Sequence, residues 1–231
     1  MPRDIICVQG AAADALRAER FEYALHRSSS VTEAMLEAGC GSSRALYERV
    51  GKELAMSPSA YRRGGDGERI QFTIGDSSLG RMLVAKTERG LCALWWGEDD
   101  ALLAVLRERF PWADTVRDDA ALSPLVEDIE AYLRRHGPLP DVTVDVRGTS
   151  FQHRVWEALR DIPVGETRTY AEIAAAIGQP QAARAVAQAC AANPVALFIP
   201  CHRVIRSDGN LSGYRWGVER KKKLLAREVA R

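Results

Sequence analysis

No part of this 231-residue sequence offers the ~20 consecutive apolar residues that a membrane-crossing helix needs, so no membrane span or membrane partner is expected. The opening Met1-Pro2-Arg3-Asp4 has none of the character of a secretory leader. Cysteine is scarce: Cys7, Cys40, Cys92, Cys190 and Cys201 are odd in number, widely spaced and contain no CxxC. That argues against a disulfide framework and against a structural zinc site, and it fits a reducing, cytoplasmic setting. Strong net charge is missing too, at +1 overall, but the balance is uneven along the chain. Residues 1–65 carry 9 Lys/Arg and 8 Asp/Glu, residues 66–148 carry 10 and 16, and residues 149–231 carry 13 and 7. The last third is therefore the basic one, either as a surface facing phosphate or as an ordinary solvated face.

What is present divides into three segments, 1–65, 66–148 and 149–231. In the first, Val31 to Ala38 has helical spacing, Gly39-Cys40-Gly41 reads as a turn, and Ser42 or Ser43 can cap a second helix reaching Val50. This is the outline of a helix-turn-helix, or else of a plain helical hairpin. Gly64-Gly65-Asp66-Gly67 has linker composition. In the second segment, Ile70 to Ile74, Arg81 to Lys86 and Leu91 to Trp96 read as strands, Ala101 to Phe110 and Pro124 to Arg135 as helices, and Val142 to Val146 as a last strand. Strands followed by helices predict an α+β domain. The acidic residues at 98–100 and 118–119 read as loop and helix-end charges. The third segment is mostly helix: Phe151 to Leu159, Tyr170 to Ile177 capped by Thr169, and Gln181 to Ala192 after Gly178 and Pro180.

Within the third segment the apolar run Val195 to Ile199 reads as a short buried strand that Pro200 ends. Directly behind it stand Cys201, His202 and Arg203. A thiolate is a strong nucleophile, and a free thiol near pKa 8.5 is only about 3% ionised at neutral pH, so an adjacent base matters. From adjacency alone, Cys201 could equally be one more buried core thiol.

The stretch from Asn193 through Pro200-Cys201-His202-Arg203 to Ile205 resembles the active-site signature of the O6-alkylguanine-DNA alkyltransferases. Thr169 to Ala174 and Ala183-Arg184-Ala185-Val186 match that family's helix-turn-helix, and Leu211-Ser212-Gly213-Tyr214-Arg215-Trp216-Gly217 its substrate loop. The resemblance runs from about Gly148 to Glu228. It implies an RNase H-like structural domain over 66–148, without nuclease activity, and a mainly helical, winged-helix-like alkyltransferase domain over 149–231. It implies further that Cys201 accepts a methyl or larger alkyl group from O6 of guanine, with O4-methylthymine as a further substrate. His202 would take the thiol proton, Glu228 would hold His202, and Asn193 would bond the turn that carries them. Tyr170 would rotate the target phosphate, and Arg184 would fill the space that a flipped base leaves. Ala183, on an alanine-rich helix able to lie close in a minor groove, would join Arg203, Ser212 and Gly213 on DNA or at the pocket. The resemblance implies double-stranded DNA containing O6-alkylguanine as the partner. No cofactor or metal is called for, and a monomer is expected.

Residues 1–65 resemble the second helix-turn-helix of AraC-type DNA-binding domains, including Met56-Ser57-Pro58. The resemblance does not extend to the first AraC-type motif. Nor does it extend to the zinc-bound second acceptor that regulatory members carry upstream, since Cys7 and Cys40 do not reproduce that pattern. The rival from another class is a transcription regulator whose alkyltransferase domain is vestigial or accessory.

Overall fold

Alternating apolar residues build the first layer. In the computed structural model, residues 67–134, 137–211 and 213–229 are described. The helix-turn-helix expected in residues 1–65 and the pocket residue Ser212 lie outside the described residues. β1 (Arg69–Ser77) buries Ile70, Phe72 and Ile74 on one face. It pairs antiparallel with β2 (Gly80–Lys86), which pairs antiparallel with β3 (Leu91–Trp96). The fourth strand, β4 (Asp114–Arg117), lies parallel to β1, giving the order β3-β2-β1-β4 in a mixed sheet. Sequence reading missed β4, because its four residues are half-exposed and carry no apolar alternation.

Helix α1 (Asp99–Arg109) precedes β4, and α2 (Asp119–Leu133) follows it. The acids read as helix-end charges do stand there: Asp118 accepts the Ala121 N–H as N-cap, and Asp99 opens α1. α2 starts five residues ahead of Pro124, where the sequence placed its beginning. The Ala120 carbonyl, which cannot receive an N–H from proline, accepts the Ser123 hydroxyl instead.

All six residues of β3 are buried, although it is the last strand of the sheet. Two later segments cover its open edge. Leu91 exchanges backbone bonds with Thr143 and Asp145, while Leu94 accepts from Ala196 and donates to Pro194. Residues 142–146 are thus no strand; they form a single bridge at Val144, and a Cβ on Gly90 would collide with the Thr143 carbonyl oxygen. Asp145 in this segment is buried and accepts from Thr87 (2.5 Å) and Arg89 (3.0 Å).

The C-terminal part is helical: α3 (Ser150–Arg160), α4 (Tyr170–Ala176), α5 (Ala183–Ala191) and α6 (Val218–Val229), with a two-stranded pair of β5 (Arg168–Thr169) and β6 (Val204–Ile205). Thr169 and Glu172 form a reciprocal capping box on α4. Gly178, at φ 74°, makes the left-handed turn toward α5, so α4 and α5 form a helix-turn-helix. The Trp156 indole donates to the Ala189 carbonyl at 2.9 Å, tying α3 to the end of α5. The described residues of 66–146 and 154–231 make one compact unit, in which the sheet residues share a core with Val195 to Phe198, Trp216 and Leu224. Trp95 of β3 stacks on Trp216 with ring centroids 6.2 Å apart. No described helix is long and apolar enough to cross a membrane.

Candidate active site

The run Val195 to Ile199 is not a strand. After its one bridge to Leu94 it coils into a buried turn, with Ile199 N–H on the Val195 carbonyl and Leu197 at φ 72°. A continuous apolar stretch signals burial on all sides without saying which backbone achieves it. A non-glycine residue in the left-handed region is costly and persists only where its surroundings hold it.

Asn193 supplies that hold. Only 1% exposed, it accepts the Val195 N–H through Oδ1 (3.0 Å) and donates through Nδ2 to the Ile199 carbonyl (2.7 Å). The same Nδ2 lies 3.1 Å from Cys201 Sγ. The chain then enters a short 3-10 turn, Cys201–Arg203, whose three residues are all buried.

Behind the thiol stands a closed polar network. His202 Nε2 is 2.9 Å from Glu228 Oε1 on α6, and both residues are buried. The carboxylate also accepts from Arg203, Nε to Oε2 at 3.0 Å and Nη2 to Oε1 at 2.9 Å, and Arg203 Nη1 reaches the Ile162 carbonyl at 2.6 Å. Arg203, expected on DNA, is therefore turned inward, 7% exposed, with its fork occupied. A bidentate guanidinium–carboxylate pair is a strong use of arginine in a buried place.

Electrostatics follow from this geometry. Burial pushes the Glu228 carboxyl upward, but the bonds from His202 and Arg203 outweigh it and hold the group at about 2. Burial pushes His202 below its ordinary value, with Glu228 opposing, so the ring is neutral at neutral pH. With its Nε2–H committed to the carboxylate, Nδ1 carries the lone pair, and it has no hydrogen-bonding partner among the described residues. Burial raises the Cys201 thiol, while the Asn193 bond, the Lys221 charge and the Tyr214 hydroxyl pull it down.

Cys201 opens onto a cavity of about 870 Å³. Tyr170 at the start of α4, Ala183 and Arg184 at the start of α5, and Gly213 and Tyr214 of the loop before α6 line it with the cysteine. Arg184 is exposed at the rim. Helix, turn and loop thus bring Cys201, Tyr170, Arg184 and Gly213 around one cavity, while His202, Glu228 and Asn193 lie behind its wall. Two groups were missed in the sequence. Tyr214, whose hydroxyl is buried near the sulfur, stands in the substrate-loop motif with no local signal to set it apart. Lys221 sits in a basic run that reads as solvated surface.

Comparison with known proteins adds the following. The family model described as "6-O-methylguanine DNA methyltransferase, DNA binding domain" matches residues 150–230, and the one described as "6-O-methylguanine DNA methyltransferase, ribonuclease-like domain" matches residues 70–139. The Escherichia coli (strain K12) protein "Bifunctional transcriptional activator/DNA repair enzyme Ada" is 46% identical over 216 residues, 93% of this chain and 61% of that protein. The chain thus spans about three fifths of that relative. The "Methylated-DNA--protein-cysteine methyltransferase" of Methanosarcina barkeri is 43% identical over 159 residues, 69% of this chain and 97% of the relative. The crystal structure of Mycobacterium tuberculosis OGT in complex with DNA aligns at a TM-score of 0.60 and 40% identity, covering 70% of this chain and 93% of that one.

Proposed function

The chain belongs to the 6-O-methylguanine DNA methyltransferase family, and from that premise we propose that it repairs DNA by moving a methyl group from O6 of guanine irreversibly onto Cys201. The observation that carries this reading is a cysteine facing a cavity of about 870 Å³, ample for an extruded base, with a buried histidine–carboxylate pair behind it.

His202 Nδ1 takes the thiol proton, directly or through a water, and Glu228 steadies the imidazolium that results. The thiolate attacks the alkyl carbon; the S–C bond forms, the C–O bond breaks, and guanine leaves with the electron pair. The product is a thioether that no neighbouring group can hydrolyse, so each molecule acts once. Asn193 holds the turn that aims the sulfur. The target carbon lies inside a base stack, so the nucleotide must be extruded into the cavity. Tyr170 and Gly213 receive it there, Ser212 has the family role of donating toward O6, and Arg184 takes the vacated place in the duplex. Ala183 and the small residues of α5 let that helix approach the minor groove closely. The finer architecture belongs to the same proposal: an RNase H-like domain over 66–148, a winged-helix-like alkyltransferase domain over 149–231, and larger alkyl groups or O4-methylthymine as further substrates. It acts on DNA as a monomer, in the cytoplasm.

Intact-mass spectrometry after mixing with duplex DNA containing O6-methylguanine tests this: one methyl gained per chain is expected, and DNA binding with no mass gain overturns it. Arg184→Ala is expected to slow repair of duplex DNA by about tenfold or more and to leave reaction with the free modified base unchanged, since flipping costs a few kcal/mol that the free base does not incur. Equal losses on both substrates would remove Arg184 from the flipping step.

A second reading is carried by the match to the Escherichia coli activator, which over 93% of the chain takes in most of residues 1–65. Specific regulators of this kind place two motifs one helical turn apart, whereas this segment resembles one. Residues 1–65 then serve as an AraC-type remnant or accessory clamp that does not recognise an operator alone, and a chain starting near Gly65 keeps full methyl transfer. Nanomolar footprinting of a single promoter sequence by the intact chain alone would favour the regulator.

A further inference from the structure

Lys221 stands in the run Arg220-Lys221-Lys222-Lys223, yet it is fully buried while Lys222 and Lys223 are exposed. An ammonium is rarely enclosed without partners that repay its lost hydration. Its Nζ donates to the Val204 carbonyl and to the Leu211 carbonyl, each at 2.5 Å. Val204 follows the Cys201–Arg203 turn directly. Leu211 leads into the wall formed by Gly213 and Tyr214. Between them residues 206–210 are exposed and close on themselves through the Arg206 N–H and the Asn210 carbonyl. One side chain of α6 therefore fastens both ends of this loop, and with them the nucleophile and the opposite side of the cavity.

The same ammonium acts on its surroundings by charge. Its field favours ionisation of Cys201 and of Cys190 on α5, and it disfavours the protonated form of His202. The Tyr214 hydroxyl is buried on the loop side with no hydrogen-bonding partner among the described residues. Burial lowers the Lys221 pKa, and the two cysteines raise it in return. Arg203 cannot serve the thiolate in this way, because Glu228 neutralises it.

We infer that Lys221 is a positioning residue for methyl transfer: its ammonium joins the Cys201 turn to the Gly213-Tyr214 wall and provides the positive charge against which the Cys201 thiolate forms. In that step the S–H bond breaks, the proton passes to His202, the electron pair stays on sulfur, and Lys221 keeps its own protons. The inference rests on Cys201 being the acceptor.

The test reads the thiol without DNA. The full chain is treated with iodoacetamide across a pH series, and modification of Cys201 is followed by peptide mass mapping. Lys221→Met removes charge and donors; Lys221→Gln keeps a donor and removes only the charge. Both variants are expected to move the midpoint of Cys201 modification upward by about one pH unit or more, about a tenfold loss of reactivity near pH 7. A folded Lys221→Gln with the midpoint of the unaltered chain overturns the inference, as does loss of folding in both variants, which would leave the lysine a structural staple alone. An unaltered chain that takes no methyl from O6-methylguanine DNA sinks the repair reading separately, since the midpoint shift does not depend on that substrate.

Discussion

Cys201→Ser is expected to abolish methyl transfer to below detection while affinity for DNA stays within a few fold. The replacement changes one atom in a residue that is only 5% exposed, so the DNA-facing surface is untouched. A serine hydroxyl is a weak nucleophile unless a base activates it strongly, whereas the thiol needs only partial help. Cys190 lines the same cavity, which makes the outcome informative. Burial holds its thiol far above the ordinary range, where it is inert at neutral pH. Intact-mass spectrometry with O6-methylguanine DNA checks both points. Methyl gain surviving in the serine variant would transfer the acceptor role to Cys190.

Glu228→Ala is expected to damage stability and chemistry together. Removing the carboxylate leaves Arg203 charged and buried with only the Ile162 carbonyl, and leaves His202 Nε2 with no acceptor. Breaking a buried pair from one side costs about 3–5 kcal/mol, and losing the partner that orients a general base slows its step by roughly 10²–10⁴-fold. The more conservative Glu228→Gln isolates the charge. The Glu228 carboxyl is held at about 2 against an ordinary 4.5, so its native-state contribution is complete above pH 4.5 and disappears as pH falls toward 2. Urea unfolding at a series of pH values should therefore show the unaltered chain losing more stability than Glu228→Gln between about pH 5 and 2. Asp99, Asp119 and Glu172 are also held below their ordinary values, but they contribute equally to both proteins and cancel in the difference. Parallel curves would mean that Glu228 does not carry a stabilising charge.

Local chemistry determined a good part of this protein. The strand Leu91–Trp96 is where the apolar run places it, and Thr169 caps α4 through the Glu172 that follows three residues later. Both signals are complete within a few neighbours, which is why the α+β order and the helix-turn-helix are legible without a structure. The cysteine beside a histidine is equally local. Only the tertiary structure decided the rest. Val195 to Ile199 has the composition of a strand, but the edge of β3 offers it one bridge and Asn193 bends the remainder into a turn. Arg203 and Lys221 have the charge of a DNA-facing surface. Their side chains instead find an internal carboxylate and two internal carbonyls, from partners 25, 17 and 10 residues away. Whether a cation meets phosphate or a buried acceptor depends on which way its helix or turn faces the core, and that is fixed by packing between distant segments.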